Sequence, residues 1–126
     1  MQGDDAVNEI RRLIRACRFS WDGLTHGVRT EAAIRTEVIV LAPAVLLAAL
    51  IADRPTRFVA LVGVVLFVMV VELLNTAIEK LADRVEPEID PIIKVVKDMG
   101  SAAVTLSLIV AGGTWISSLV EIVAGH

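Results

Sequence analysis

Three uncharged apolar runs, Val38–Ala52, Phe58–Val71 and Met99–Val120, limit what this chain can fold into. A helix needs about 20 residues to cross the hydrocarbon core of a bilayer, with a working range of roughly 17–25. The third run is long enough alone. The first becomes so if it starts near Glu31 or Ala32, which draws Arg35 and Glu37 into its first turns. The second becomes so if it continues through Glu72 to about Glu79. Both extensions bring carboxylates to or near membrane depth. Composition agrees, being 56% hydrophobic and 21% charged with a mean hydropathy of +0.72. A soluble domain is typically about 45–50% apolar, so the excess must face something other than water.

The expected fold is all-α: an integral membrane protein of one domain over residues 1–126. An N-terminal amphipathic surface helix is expected at about 5–28, and transmembrane helices at about 31–52, 56–85 and 92–121. A cytoplasmic connector at about 86–91 precedes the last span, because Pro87 and Pro91 end the helix before it. In the surface helix Val7, Ile10, Ile14, Cys17, Trp21, Leu24 and Val28 recur at steps of three and four, with Arg11, Arg12, Arg15 and Arg18 mainly opposite. Asp4, Asp5 and Glu9 stand where a signal peptide carries basic residues, so none is expected. Pro43 is a possible kink in the first span. Basic residues cluster in the N-terminal segment and again at Lys80, Arg84, Lys94 and Lys97. The positive-inside rule therefore puts the N-terminus and the connector in the cytoplasm and the Asp53–Thr56 turn and the C-terminus outside.

Several function classes are disfavoured. A net charge of −3 and a pI near 5.3 offer no basic field for nucleic acid. Cys17 is the sole cysteine, and His26 and His126 are isolated, which leaves no disulfide, zinc cluster or triad. Neither a GxxxxGK[ST] loop nor the glycine loop of protein kinases is present.

What needs explaining is the segment Glu72-Leu-Leu-Asn-Thr-Ala-Ile-Glu79, followed by Asp83. At 3.6 residues per turn, Glu72, Thr76, Glu79 and Asp83 share one stripe, with Asn75 at its edge. Intramembrane acids are costly and usually mark function. The plainer alternative is that Glu72 and Glu79 form packing ion pairs with Arg35, Lys80 or Lys97. Against it stands a third acid, Glu31, near the same membrane level. Carboxylates converging at one depth beside Asn75 suit a divalent cation with hard oxygen ligands, and Mg²⁺ is usual where a phosphate completes its shell. Lys97 can neutralise a phosphate, while Asp98 can cap the third span or accept hydrogen bonds. Gly100–Ala103 are small and favour close helix packing.

These residues carry a family resemblance. Glu72–Glu79 with Asp83-Arg84, Lys97-Asp-Met-Gly-Ser-Ala-Ala-Val104, Ser20-Trp-Asp-Gly-Leu24 and Glu31-Ala-Ala-Ile-Arg-Thr-Glu37 together resemble the signature of the small prokaryotic integral-membrane diacylglycerol kinases. The likeness runs in order from about Arg12 to about Val120. It implies a homotrimer in the bacterial inner membrane, with active sites shared between subunits, that transfers the γ-phosphoryl group of MgATP to diacylglycerol and gives phosphatidic acid. It further implies Glu72 as general base and Glu31 and Glu79 as ligands of the Mg²⁺ on ATP. Asn75, Asp83, Lys97 and Asp98 become their partners, with Lys97 and Asp98 on the nucleotide. Arg12, Phe19, Glu88 and Asp90 match positions on the nucleotide side, and Ser20, Trp21, Arg35, Ser101 and Trp115 match positions near the lipid. A relative acting on undecaprenol is the nearest rival, and a proton-coupled transporter is the rival from another class.

Overall fold

The structure is a computed structural model that describes residues 2–125; His126 lies outside the described residues. The chain folds into four α-helices: α1 (Gln2–Thr30), α2 (Ala32–Ile51), α3 (Pro55–Val85) and α4 (Pro91–Ala124). No strand occurs among the described residues. Three of the helices, α2, α3 and α4, are long and apolar enough to cross a membrane, so the chain has the build of a multi-pass membrane protein.

Local chemistry sets the helix ends. Pro55 and Pro91 open α3 and α4, where a missing N–H costs nothing and a φ near −65° is already helical. Asp90 caps α4, its Oδ1 accepting from the backbone N–H groups of Ile92 at 2.8 Å and Ile93 at 3.0 Å. Sequence reasoning gave Asp98 as a candidate cap, but it lies inside α4, which begins at Pro91. Gly125 ends α4 in the left-handed conformation at φ 76°, which glycine adopts without a Cβ clash. Between α1 and α2 a single extended residue, Glu31 (φ −112°, ψ 119°), interrupts the helix. α2 runs continuously through Pro43.

Length differences position the polar end. At about 1.5 Å per residue α2 is about 30 Å long, the thickness of a hydrocarbon core, while α3 and α4 approach 46 and 51 Å. The C-terminal turns of α3 and the N-terminal turns of α4 therefore project beyond the bilayer core at one end. α3 is central, packing against both α2 and α4, and α1 packs mainly on α2. Gly27 of α1 lies against Ile34 of α2 and Leu73 of α3. Few apolar residues are buried within the chain, among them Ile34, Ala48 and Leu61, while Leu50, Leu106, Ile109 and Ile116 are among many left open to lipid.

At the opposite end, Arg57 is almost fully buried, its side chain 3% exposed. Its guanidinium meets Asp53 at 2.9 Å and Glu121 at 2.5 Å, which ties the start of α3 to the end of α4. Removing one carboxylate from a buried guanidinium leaves charge uncompensated. Because Glu121 itself is half exposed, Glu121→Gln is expected to destabilise the bundle by about 1–2 kcal/mol. Unfolding in mixed detergent and denaturing micelles would show this as a lowered midpoint with helix content unchanged before the transition.

Candidate functional site

The acidic stripe of α3 falls between two packed faces. Asn75 and Leu61 mark the face toward α4, where Gly100 abuts Asn75 and the Trp115 indole donates to the Leu61 carbonyl at 3.1 Å. Leu73, Ala77 and Lys80 mark the face toward α1 and α2, lining with Ser20, Glu31 and Ile34 a recess of about 400 Å³. Glu72, Thr76 and Glu79 are half-buried between these faces, and Asp83 is exposed beyond them.

Packing ion pairs do not account for Glu72 and Glu79. Neither has a cationic partner among the described residues. The three cations that could have served are engaged elsewhere. Lys80 pairs with Glu31 at 2.7 Å, and Lys97 pairs with Asp83, bridging α4 to α3. Arg35 reaches back to the carbonyls of Val28 and Arg29 at 3.3 and 3.4 Å, where a cation complements the C-terminal end of α1.

Asn75 is the most constrained polar group. It is buried, and its amide donates to Glu79 Oε1 at 3.3 Å. Its Oδ1 has no partner among the described residues. A Cβ placed on Gly100 would stand 2.1 Å from that oxygen, far inside contact distance. Glycine at 100 is therefore what allows the amide to lie where it orients Glu79.

No three His, Cys, Asp or Glu side chains among the described residues come together as a metal cage. Of the two or three carboxylates expected to converge at one depth, Glu31, Glu72 and Glu79 thus form no three-acid cage among the described residues. The donor chemistry nevertheless fits Mg²⁺, which is commonly held by one or two carboxylates plus substrate phosphates. Glu79 offers a carboxylate without a cation, and Glu31 one that already seats a cation in Lys80. Glu31 lies one residue ahead of α2, outside the spans. The Lys80 ammonium, with a further hydrogen bond from Thr30, holds its carboxyl below the usual range.

The other candidates divide into two groups. Asp83, Glu88, Asp90 and Lys97 line one open recess of about 230 Å³ at the connector, together with Lys94. Lys94 was missed from sequence; it also pairs with Asp98 at 2.5 Å. Ser20 lines the recess beside Glu31, its hydroxyl donating to the Ala16 carbonyl at 2.9 Å. Phe19, Trp21 and Ser101 are exposed, and Arg12 pairs with Glu9 at 2.8 Å. Trp115 is not brought to the cluster: 18 residues along α4 from Lys97, it stands about 27 Å away along the axis. Glu37 was also missed as a candidate. Its Oε2 is buried without a partner, in a groove of about 430 Å³ lined by α2, α3 and α4. The signal was an acid entering an otherwise apolar run.

Comparison with known proteins adds an independent finding. Residues 18–119 match the family model described as Prokaryotic diacylglycerol kinase. The chain is 45% identical over 105 residues to the Diacylglycerol kinase of Escherichia coli K12, covering 82% of this chain and 85% of that one. It is 39% identical over 111 residues to the Diacylglycerol kinase of a Sinorhizobium species, covering 88% and 80% of the two chains. A third relative, the Diacylglycerol kinase of Pseudomonas aeruginosa, is 36% identical over 110 residues, covering 87% and 89%.

Two tests follow from the geometry. Gly100→Ala must push Asn75 off Glu79, so a loss of function of at least about tenfold is expected, while circular dichroism shows the helices intact. For Glu31 the folded carboxyl titrates below its unfolded value of 4.5. Its contribution to stability is then fully present above that value and is lost as pH falls through the folded one. The stability difference between wild type and Glu31→Gln should accordingly be flat at neutral pH and shrink only below about 4.5.

Proposed function

The chain belongs to the prokaryotic diacylglycerol kinase family, and on that premise we propose that it is a diacylglycerol kinase. It transfers the γ-phosphoryl group of MgATP to the hydroxyl of sn-1,2-diacylglycerol, giving phosphatidic acid and ADP. It works as a homotrimer with shared sites in the bacterial inner membrane, with its N-terminus and the α3–α4 connector cytoplasmic and its C-terminus periplasmic. The observation that carries the reading is the pair of half-buried carboxylates, Glu72 and Glu79, with no Lys or Arg partner among the described residues, toward the projecting end of α3.

Phosphoryl transfer asks a protein mainly for positioning and charge neutralisation. Glu72 takes the proton from the lipid hydroxyl as its oxygen bonds to the γ-phosphorus. The bond from that phosphorus to the bridging oxygen breaks, and ADP leaves with the electron pair. Glu72 stands on the membrane side of Glu79 and Asp83, so a diacylglycerol keeps its acyl chains in the bilayer while its hydroxyl meets the base. Asn75 orients the Glu79 carboxylate, and Glu79 and Glu31 would hold the Mg²⁺. When bound, Mg²⁺ neutralises charge on the phosphates. Lys97 and Asp98 lie on the nucleotide side, where Asp83 keeps the Lys97 ammonium beside the connector recess that receives the polar substrate.

The deciding assay is ATP-dependent phosphorylation of a short-chain diacylglycerol in mixed micelles with Mg²⁺. Wild type is expected to be active, and Glu72→Gln to lose about 10²–10⁴-fold in turnover while still inserting and assembling. Activity on undecaprenol alone would overturn the substrate, and undiminished activity in Glu72→Gln would overturn the base.

A further inference from the structure

Lys80 has no part in the mechanism above, yet it pairs with Glu31, one of the two carboxylates proposed to hold the metal. Its ammonium is 2.7 Å from Glu31 Oε1, and the Thr30 hydroxyl donates to the same oxygen at 3.1 Å. Lysine neighbours Glu79 in the chain but turns to the other side of α3, toward the junction of α1 and α2. The negative charge of Glu31 is therefore already matched by a cation of the chain itself.

Resting on the proposed role of Glu31 as a metal ligand, we infer that Lys80 is the resident cation of the Glu31 carboxylate. A divalent cation must displace it, so that breaking this ion pair sets the metal concentration at which the site fills. Three features support an exchange rather than a fixed contact. An ammonium and a divalent cation on one carboxylate repel each other, so both are not held there at full strength. Lysine is a compact charge on a flexible four-carbon stem, suited to letting go. Its side chain is 54% exposed, and it borders an open recess of about 400 Å³, so the released ammonium has room to move. The pair is thus a partly solvated one of modest strength, weak enough for a divalent cation to replace.

The test uses Mn²⁺ alone, titrated into the full-length, nucleotide-free protein in detergent micelles and followed by electron paramagnetic resonance. Lys80→Gln is expected to bind the Glu31-dependent Mn²⁺ about three- to fivefold more tightly than wild type. Lys80→Arg, which keeps the charge and can pair bidentately with a carboxylate, should bind it no more tightly than wild type does. Amine acylation read by mass spectrometry gives a second measure: Mn²⁺ should speed the labelling of Lys80 in wild type. Equal or weaker Mn²⁺ binding in Lys80→Gln, with binding still lost in Glu31→Gln, would overturn the exchange and leave the metal site standing. Mn²⁺ binding that Glu31→Gln leaves intact would overturn the metal role of Glu31, and the exchange with it.

Discussion

The polar end of this protein is held in place by the close approach of α3 and α4 at Asn75 and Gly100. A buried amide in a membrane protein must find partners inside the protein, and Asn75 finds one in Glu79 on its own helix. It can be buried at that depth only because the facing position lacks a side chain. Once the two helices are in contact there, Lys97, three residues before Gly100 on α4, reaches Asp83, eight residues beyond Asn75 on α3, and the connector lines the recess beside them. At the other end Arg57, held by Asp53 and Glu121, and the Trp115 indole on the Leu61 carbonyl keep the same pair of helices in register. The α3–α4 pair is therefore pinned at both ends, and the acidic stripe lies along its seam.

Much of this was legible in the residues. The apolar periodicity of the N-terminal segment, the lengths of the three apolar runs and the connector prolines were enough to give four helices, and helical spacing placed Glu72, Glu79 and Asp83 on one stripe. Partnership between charges was not legible, because it depends on how helices are rotated against one another. Lys80 was considered as a partner for the stripe, yet one residue of helix is a turn of about 100°, and that turn carries it to Glu31 instead. Arg35 went in the same way to the end of α1. Asp98 was offered as a cap of the last span, whereas the cap is Asp90, whose side chain bonds to the N–H groups two and three residues on. The proline after Asp90 selects it, since proline opens a helix readily and disrupts its interior.

The small number of residues buried within one chain has a physical meaning of its own. In water such a bundle would expose most of its large aliphatic side chains, and the hydrophobic effect would oppose the open form. In lipid those side chains are solvated, so the helices are held instead by close packing at small residues and by polar contacts between them. Gly27, Asn75, Arg57 and Trp115 are such contacts, and together they join all four helices.

The joint between α1 and α2 is a single residue, and it is Glu31. A helix that crosses a bilayer tilts when the hydrocarbon is thinner than its apolar length, whereas an amphipathic helix stays level with the interface. Any mismatch between the two must be absorbed by the φ and ψ of the residue that separates them. The joint and the carboxylate are thus the same amino acid, so the angle between α1 and α2 and the aim of a charged group are set by one pair of backbone dihedrals.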